Sequence, residues 1–321
     1  MSDMSLIEHL SFEPPLGLRS PNFQTILGSF SPSGSPPLST TFLVPLGDGD
    51  TLSCRLSTPI NWKPDEKTVL LLHGLGGSDS SPYMIRFARK LYENGFQVLR
   101  INMRGCGSGE NLAQYPYHGG ISGDILAVVN RVKKIYPLSP IVLIGFSLGG
   151  NIVLKLAGEL GEEANSFLKK TIAVCPSIDL AQSSALLGRP ENRLYNLYFM
   201  RSLQRQGARW IGGRPFSNLY EFDSIVTAPY WGFEGAFDYY HQCSSRFWLQ
   251  KIRHPCHLLF SADDPFIDYK ASLGLPLPSC VKIYLTEYGG HLGFFGWSGA
   301  NHYYFWMDNL LFNWIEEAFR K

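Results

Sequence analysis

Residues 141–151 read IVLIGFSLGGN. The run Ile141, Val142, Leu143 and Ile144 is apolar and mostly β-branched, which predicts a strand buried on both faces of a parallel sheet. From Leu148 to Leu160, apolar residues recur at helical spacing (Leu148, Ile152, Val153, Leu156, Leu160). A strand that becomes a helix across Gly145-Phe146-Ser147-Leu148-Gly149 must turn sharply. Small residues two before and two after the serine let that turn pack its own backbone tightly. Such a turn lifts the Ser147 hydroxyl to the top of the sheet and aims a helix N-terminus at it. The pattern is that of a nucleophile elbow. In a chain with 32 glycines a bare G-x-S-x-G also arises as an ordinary turn, so the flanking strand and helix give the motif its weight.

The composition, 45% hydrophobic and 17% charged over 321 residues, suits one large α/β domain or two smaller ones. A net charge of +1 leaves no electrostatic footprint for nucleic acid. Cys54, Cys106, Cys175, Cys243, Cys256 and Cys280 form no C-x-x-C and are irregularly spaced, against a zinc site or a disulfide scaffold. Cys175 lies in an apolar run and reads as a small core residue. The start, MSDMSLIEHLSFEPP, has neither a basic n-region nor a long apolar h-region, so no signal peptide is expected. No uncharged apolar run reaches the ~18 residues of a transmembrane helix. A reducing, cytoplasmic setting is the expectation.

Residues 1–40 are rich in Pro, Ser and Gly without periodicity and read as an arm over the core surface or as a partly disordered segment. Thr41–Pro45 and Thr51–Ser57 flank Gly47-Asp48-Gly49, a hairpin signal. Thr68–Leu72 predicts a strand, Ser81-Pro82 to about Asn94 a helix stopped by Gly95, and Gln97–Asn102 the next strand. Ser122–Tyr136 predicts an amphipathic helix ended by Pro137, and Thr171–Cys175 a strand stopped by Pro176. This alternation is an α/β pattern with a parallel sheet, and right-handed crossovers bring His73, Arg104 and Ser147 to one sheet edge. From 177 to 245 the alternation fails. That stretch is helical by pattern, rich in Tyr, Phe and Trp, and reads as a cap inserted between core segments 41–176 and 246–321. The alternation resumes at His257–Ala262 and Val281–Thr286, and a last helix runs from about His302 to Arg320. Gly105 to Gly109 fails G-x-G-x-x-G because position 110 is Glu, and no cofactor is expected.

A serine hydroxyl needs a general base. Among eight histidines, His291 stands in Tyr288-Gly289-Gly290-His291-Leu292-Gly293, directly after the last apolar strand, where a glycine-flanked loop can reach Ser147. His9, His118, His241, His254, His257 and His302 lack that setting, and His73 reads as a structural residue at a strand end, with a second base as its alternative. The base needs a carboxylate to fix its tautomer. Asp264, held extended before Pro265, is preferred. Asp263 is its direct competitor, with a turn or loop hydrogen bond as its other role, and Asp179 is a distant third. The order Ser147, Asp264, His291 is that of α/β-hydrolases. An oxyanion needs two backbone N–H donors, for which Leu148 and Leu75 (in His73-Gly74-Leu75-Gly76-Gly77) are best placed.

Several blocks in order now resemble one family: Ser20 to Thr25, HGLGGSDSSPY at 73–83, MRGCGSGE at 103–110, YHGGISGD at 117–124, GFSLGGN at 145–151, EFDSIVTAPYWGF at 221–233, ADDPF at 262–266 and YGGHLGF at 288–294. Together they are similar to the YheT-like branch of the α/β-hydrolases, which includes abhydrolase-domain lipases and ethyl-ester-forming acyltransferases. The resemblance implies an α/β-hydrolase fold, a triad of Ser147, Asp264 and His291, and action on carboxylic esters, in some members phospholipid or acylglycerol. No membrane-spanning N-terminus of the eukaryotic kind is expected from this sequence, so the resemblance does not imply membrane residence. Arg104 and Asp124 lie in matched blocks. They read as a buried pair anchoring two loops, with an anionic head-group site as the alternative. Phe222, Asp223, Tyr230 and Phe233 read as cap packing.

Three functions compete. The first is a serine esterase or lipase on short-to-medium acyl esters, lipid esters included. The second is an acyltransferase passing the same acyl group to an alcohol. The third is a binding protein that kept the fold. The sequence points to no metal and no nucleic-acid partner, and it is silent on oligomeric state.

Overall fold

The computed structural model describes residues 7–30, 34–297 and 303–320. Its strands are β1 (Ile7–His9), β2 (Thr40–Pro45), β3 (Thr51–Ser57), β4 (Thr68–Leu72), β5 (Gln97–Ile101), β6 (Ile141–Phe146), β7 (Lys170–Val174), β8 (Cys256–Ser261), β9 (Val281–Thr286), β10 (Phe295–Trp297) and β11 (Tyr303–Phe305). The first nine form one sheet in the order β1-β9-β8-β7-β6-β4-β5-β3-β2. Pairing is parallel except at β2/β3 and β3/β5. Helices of two turns or more are α1 (Pro21–Phe30), α2 (Pro82–Glu93), α3 (Ser122–Ile135), α4 (Leu148–Leu160), α5 (Leu180–Leu187), α6 (Arg193–Gln206), α7 (Ala236–Cys243) and α8 (Trp306–Phe319).

Side chains alternate across each central strand. Leu70 and Leu72 of β4, with Ile141 and Leu143 of β6, enter one apolar layer with α3 and α4. Val69, Leu71, Val142 and Ile144 enter the opposite layer with α2 and α8. All eight of these strand residues are fully buried, which is why β4 and β6 are unbroken apolar runs rather than alternating ones. The result is the mostly parallel sheet flanked by helices expected from the sequence. Between β7 and β8 the chain forms helices, α5, α6 and α7 among them, and no strand among the described residues.

β4 pairs with β5 on one side and β6 on the other. The chain therefore reverses direction across the sheet at β4. A crevice opens above the C-terminal ends of strands at such a point. The loop after β4 and the turn after β6 meet there. Asn151, fully buried on α4, donates to the carbonyls of Gly119 and Cys243 and accepts from Ser245 N–H, tying the α3 loop and the returning chain to the helix.

The ends of the chain differ from expectation. Residues 7–9 add a parallel strand beside β9, too short to show alternation in the sequence. α1 hides its signal because its buried face is polar: Gln24 and Thr25 are inside, while Phe23 and Ile26 are exposed. At the other end, Tyr303–Phe305 pairs antiparallel with Phe295–Trp297, so the last helix begins at Trp306. His302, expected to open that helix, lies outside the described residues. Among the described residues no helix is long and apolar enough to cross a membrane.

Candidate active site

Ser147 follows β6 with φ 53° and ψ −116°, a left-handed conformation that is costly for a residue with a Cβ, on the order of 1–3 kcal/mol. Its surroundings hold it there. Ser147 N–H donates to Val174 O (2.9 Å), and its carbonyl accepts from Asn151 N–H (3.1 Å). A Cβ on Gly145 would stand 2.2 Å from Gly149 O, and one on Gly149 would stand 2.4 Å from His73 O. Only glycine fits either position, because backbone lies on the other side. The same packing brings Gly74 against Ser147, with the position of a Gly74 Cβ 3.0 Å from the serine Cβ.

His291 Nε2 lies 2.9 Å from Ser147 Oγ, and its Nδ1 lies 2.7 Å from Asp264 Oδ2. Both His291 and Asp264 side chains are buried. Asp264 Oδ1 accepts from Phe266 N–H (3.0 Å) and Ile267 N–H (2.9 Å), hydrogen bonds that fix the orientation of its carboxylate toward His291. Asp263 faces elsewhere: it accepts from Ser261 Oγ–H and from Gly290 N–H (2.8 Å). It braces the His291 loop from below. The Phe266 ring packs on the imidazole at 4.3 Å between centroids.

α1 supplies partners to which the sequence pattern assigns no role. His291 N–H donates to Thr25 Oγ1 (2.9 Å). Gln24 accepts from Phe295 N–H (2.7 Å) and donates to Phe295 O (3.1 Å). Gly290 and Gly293 are needed here, since a Cβ on either would meet the α1 backbone at 2.4 or 2.2 Å. Ser20 to Thr25 stand in the sequence only as a matched block. A buried polar pair on a short helix looks like an exposed face when read by periodicity.

The four other buried histidines are occupied elsewhere. His73 is fully buried, hydrogen-bonded through Nδ1 to Gly74 O (2.8 Å) and accepting at Nε2 from Met103 N–H (3.1 Å). Burial pushes it down to about 4, so it is neutral and tethers the loop. His118 is pushed down to about 3 by burial and packs on Trp231. His254 bonds Thr171 Oγ1, and His257 sits between Tyr284 and Trp314.

In the loop after β4, Gly74 N–H donates to Tyr83 Oη and Gly76 N–H to Tyr117 Oη, both at 3.0 Å. Between them Leu75 N–H has no acceptor among the described residues, and neither has Leu148 N–H at the start of α4. Leu75, Ser147 and Leu148 share one narrow cavity of about 70 Å³, walled by Leu180, Leu187, Phe199 and Leu203 from the inserted helices and closed in part by Phe266. A second groove reaches His291 and Phe266 from the other side, between α1 and α6.

Arg104 is buried and forks onto Asp124 through two bonds of 2.7 Å, while its third nitrogen meets Asp48 (2.6 Å) and Asp50 (2.7 Å). Among the described residues one trio has metal-capable atoms close together: Cys175, Asp264 and His291, within 4.8 Å. Asp264 and His291 are already bonded to each other. The Cys175 thiol is pushed well up by burial and by Asp264, so it stays protonated as packing beneath them.

Residues 67–193 match the family model for the alpha/beta hydrolase fold. YheT of Escherichia coli K12, named as an esterase, is 28% identical over 285 residues, covering 84% of this chain and 82% of that one. The human phospholipase ABHD3 is 28% identical over 293 residues, covering 84% of this chain and 70% of its own. Among solved structures, Est1E from Butyrivibrio proteoclasticus superposes with a TM-score of 0.55 at 18% identity, over 86% of this chain and 96% of that one, a likeness of fold.

Proposed function

We propose that this chain, which matches the alpha/beta hydrolase fold over residues 67–193 and is similar to YheT, is a serine carboxylic-ester hydrolase acting on short-to-medium acyl esters. The reading is carried by one observation, the unbroken relay from Ser147 Oγ through His291 to Asp264 at 2.9 and 2.7 Å. In this reading His291 Nε2 takes the Ser147 proton as Oγ attacks the ester carbonyl carbon. The oxyanion that forms is received by Leu75 and Leu148 N–H, which have no acceptor among the described residues. His291 then returns the proton to the leaving alcohol, the C–O bond breaks, and an acyl-Ser147 ester remains. Water, deprotonated by His291, attacks that ester and releases the acid. Asp264 stays ionised and stabilises the imidazolium. The helices between β7 and β8 serve as a cap, and the cavity beneath them takes the acyl chain.

A fluorophosphonate should label one serine, and Ser147→Ala should abolish the labelling. Labelling that persists in this variant would place the nucleophile elsewhere. On p-nitrophenyl esters, each methylene buried in the apolar cavity is worth about 0.8 kcal/mol, or roughly fourfold in kcat/KM. The rate should climb from acetate toward butyrate or longer and then fall where the cavity closes. The groove on the far side of His291 has room for an acceptor. With an alcohol present, the ratio of ester to acid formed separates acyl transfer from hydrolysis.

A further inference from the structure

α6 has two faces of different chemistry. Tyr195, Phe199, Met200 and Leu203 turn inward. Outward stand Leu194, 79% exposed, with Leu197 and Tyr198 at nearly half, followed by Arg201 and Arg205. Beside it α1 exposes Phe23 and Ile26. The two helices are joined by Tyr195 Oη donating to Asn22 Oδ1 at 2.9 Å. The groove between them, about 410 Å³, is lined by Ile26, Leu194 and Tyr198 and reaches His291. One carboxylate, Glu191, lines the groove, and beyond it the charge along α6 and the segment that follows is one-sided. Between Asn192 and Tyr220 there are five arginines and no Asp or Glu, although the whole chain is near neutral. All five (Arg193, Arg201, Arg205, Arg209 and Arg214) are exposed.

We propose that the α1–α6 rim docks on an anionic phospholipid bilayer, with the groove opening into it. The inference rests on the ester-hydrolase reading in one respect: the groove would carry a lipid ester from the surface to Ser147 and His291. A helix with exposed leucine and tyrosine beside a row of arginines has the chemistry of an interfacial segment. Its apolar side chains enter the acyl boundary, and its guanidinium groups meet phosphate oxygens. A bilayer fits better than a protein partner because the apolar residues surround the mouth of a groove that ends at His291. A protein seated there would close the groove, whereas a bilayer would fill it with substrate. Attachment of this kind is reversible and weakens as salt screens the arginines.

The test uses the full chain carrying Ser147→Ala, so that vesicles stay intact, in co-sedimentation with phosphatidylcholine vesicles and with vesicles containing phosphatidylglycerol. The protein should partition onto the anionic vesicles about tenfold or more better than onto the neutral ones, and less at high salt. Arg201→Gln with Arg205→Gln, and separately Leu197→Ser, should each lower that partitioning by about tenfold or more. In the active chain the same substitutions should leave kcat/KM on a soluble short-chain ester unchanged and depress hydrolysis of an ester embedded in the anionic vesicles. An unshifted thermal midpoint shows that the variants are folded. No partitioning onto anionic vesicles, or equal partitioning by the variants, overturns the docking surface. That outcome leaves the esterase reading to stand on Ser147 labelling and soluble-ester turnover. Loss of those two with vesicle binding intact would instead sink the esterase reading.

Discussion

Asp263 and Asp264 are adjacent in the chain, yet their carboxylates serve different partners. Asp264 meets His291 Nδ1, and Asp263 holds Gly290 N–H and Ser261. Asp264→Asn would offer an amide where the imidazole N–H needs an acceptor, stabilising the wrong tautomer. kcat should fall on the order of 10⁴. Asp263→Asn keeps an oxygen for Gly290 N–H and should lower kcat by about tenfold at most, alongside a lower thermal midpoint. Steady-state kinetics of both variants decide the matter, and the reverse ranking would reassign the carboxylate. Ser147, His291 and Asp264 were legible because each sits beside residues whose backbone demands are visible in the sequence: glycines around Ser147 and His291, and a proline after Asp264. Thr25 and Gln24 were not. Their role comes from tertiary contact across more than 260 residues of chain, which local pattern cannot report.

The hairpin β2–β3, the loop after β5 and the start of α3 are held together by one guanidinium. Arg104 joins Asp124 at the head of α3 to Asp48 and Asp50 in the hairpin turn. Burial raises the Asp124 carboxyl, and Arg104 opposes that rise by hydrogen bond and charge. Arg104→Met should therefore leave buried carboxylates facing one another and cost roughly 3–5 kcal/mol of stability, seen as a lower urea midpoint. With the folded fraction corrected for, kcat/KM on a soluble ester should stay near that of the parent. A raised KM at unchanged stability would mean that Arg104 binds substrate instead. Elements of this kind were legible where burial sets the pattern. β4, β6 and α4 carry it in their own residues. β1 and β10–β11 did not show it, because a three-residue strand has too few side chains for alternation to register and is defined by its neighbour.

The molecule as a whole stores neutral histidines. Burial pushes His73 and His254 down to about 4, and His118 and His257 down to about 3, while in the unfolded chain each returns to ~6.5. Between pH ~6.5 and those lower values the unfolded chain binds protons that the folded chain refuses. Stability therefore rises with pH across this window and is lost on acidification. Asp223 acts in the opposite sense. Burial raises it to about 7, against hydrogen bonds from Thr227 and Tyr240, so the folded chain takes up its proton first and gains as pH falls from about 7 toward the ordinary carboxyl range. Asp124 and Asp263 are raised by burial in the same sense as Asp223, and these three carboxyls set against four strongly lowered imidazoles leave the net slope with the histidines. One proton refused by the folded chain over one pH step costs about 1.4 kcal/mol, so the loss by pH ~4.5 should be several kcal/mol, a large part of a total stability on the order of 5–15 kcal/mol. Urea midpoints measured from pH 7.5 to 4.5 should fall steadily below 6.5. His257→Phe keeps a ring against Tyr284 and Trp314 and removes one of the four titrations, so it should flatten the curve by the share of about one proton. A stability curve level from pH 7 to 5 would mean that these imidazoles titrate in the folded chain as they do in water, and that water reaches the sites where they are packed.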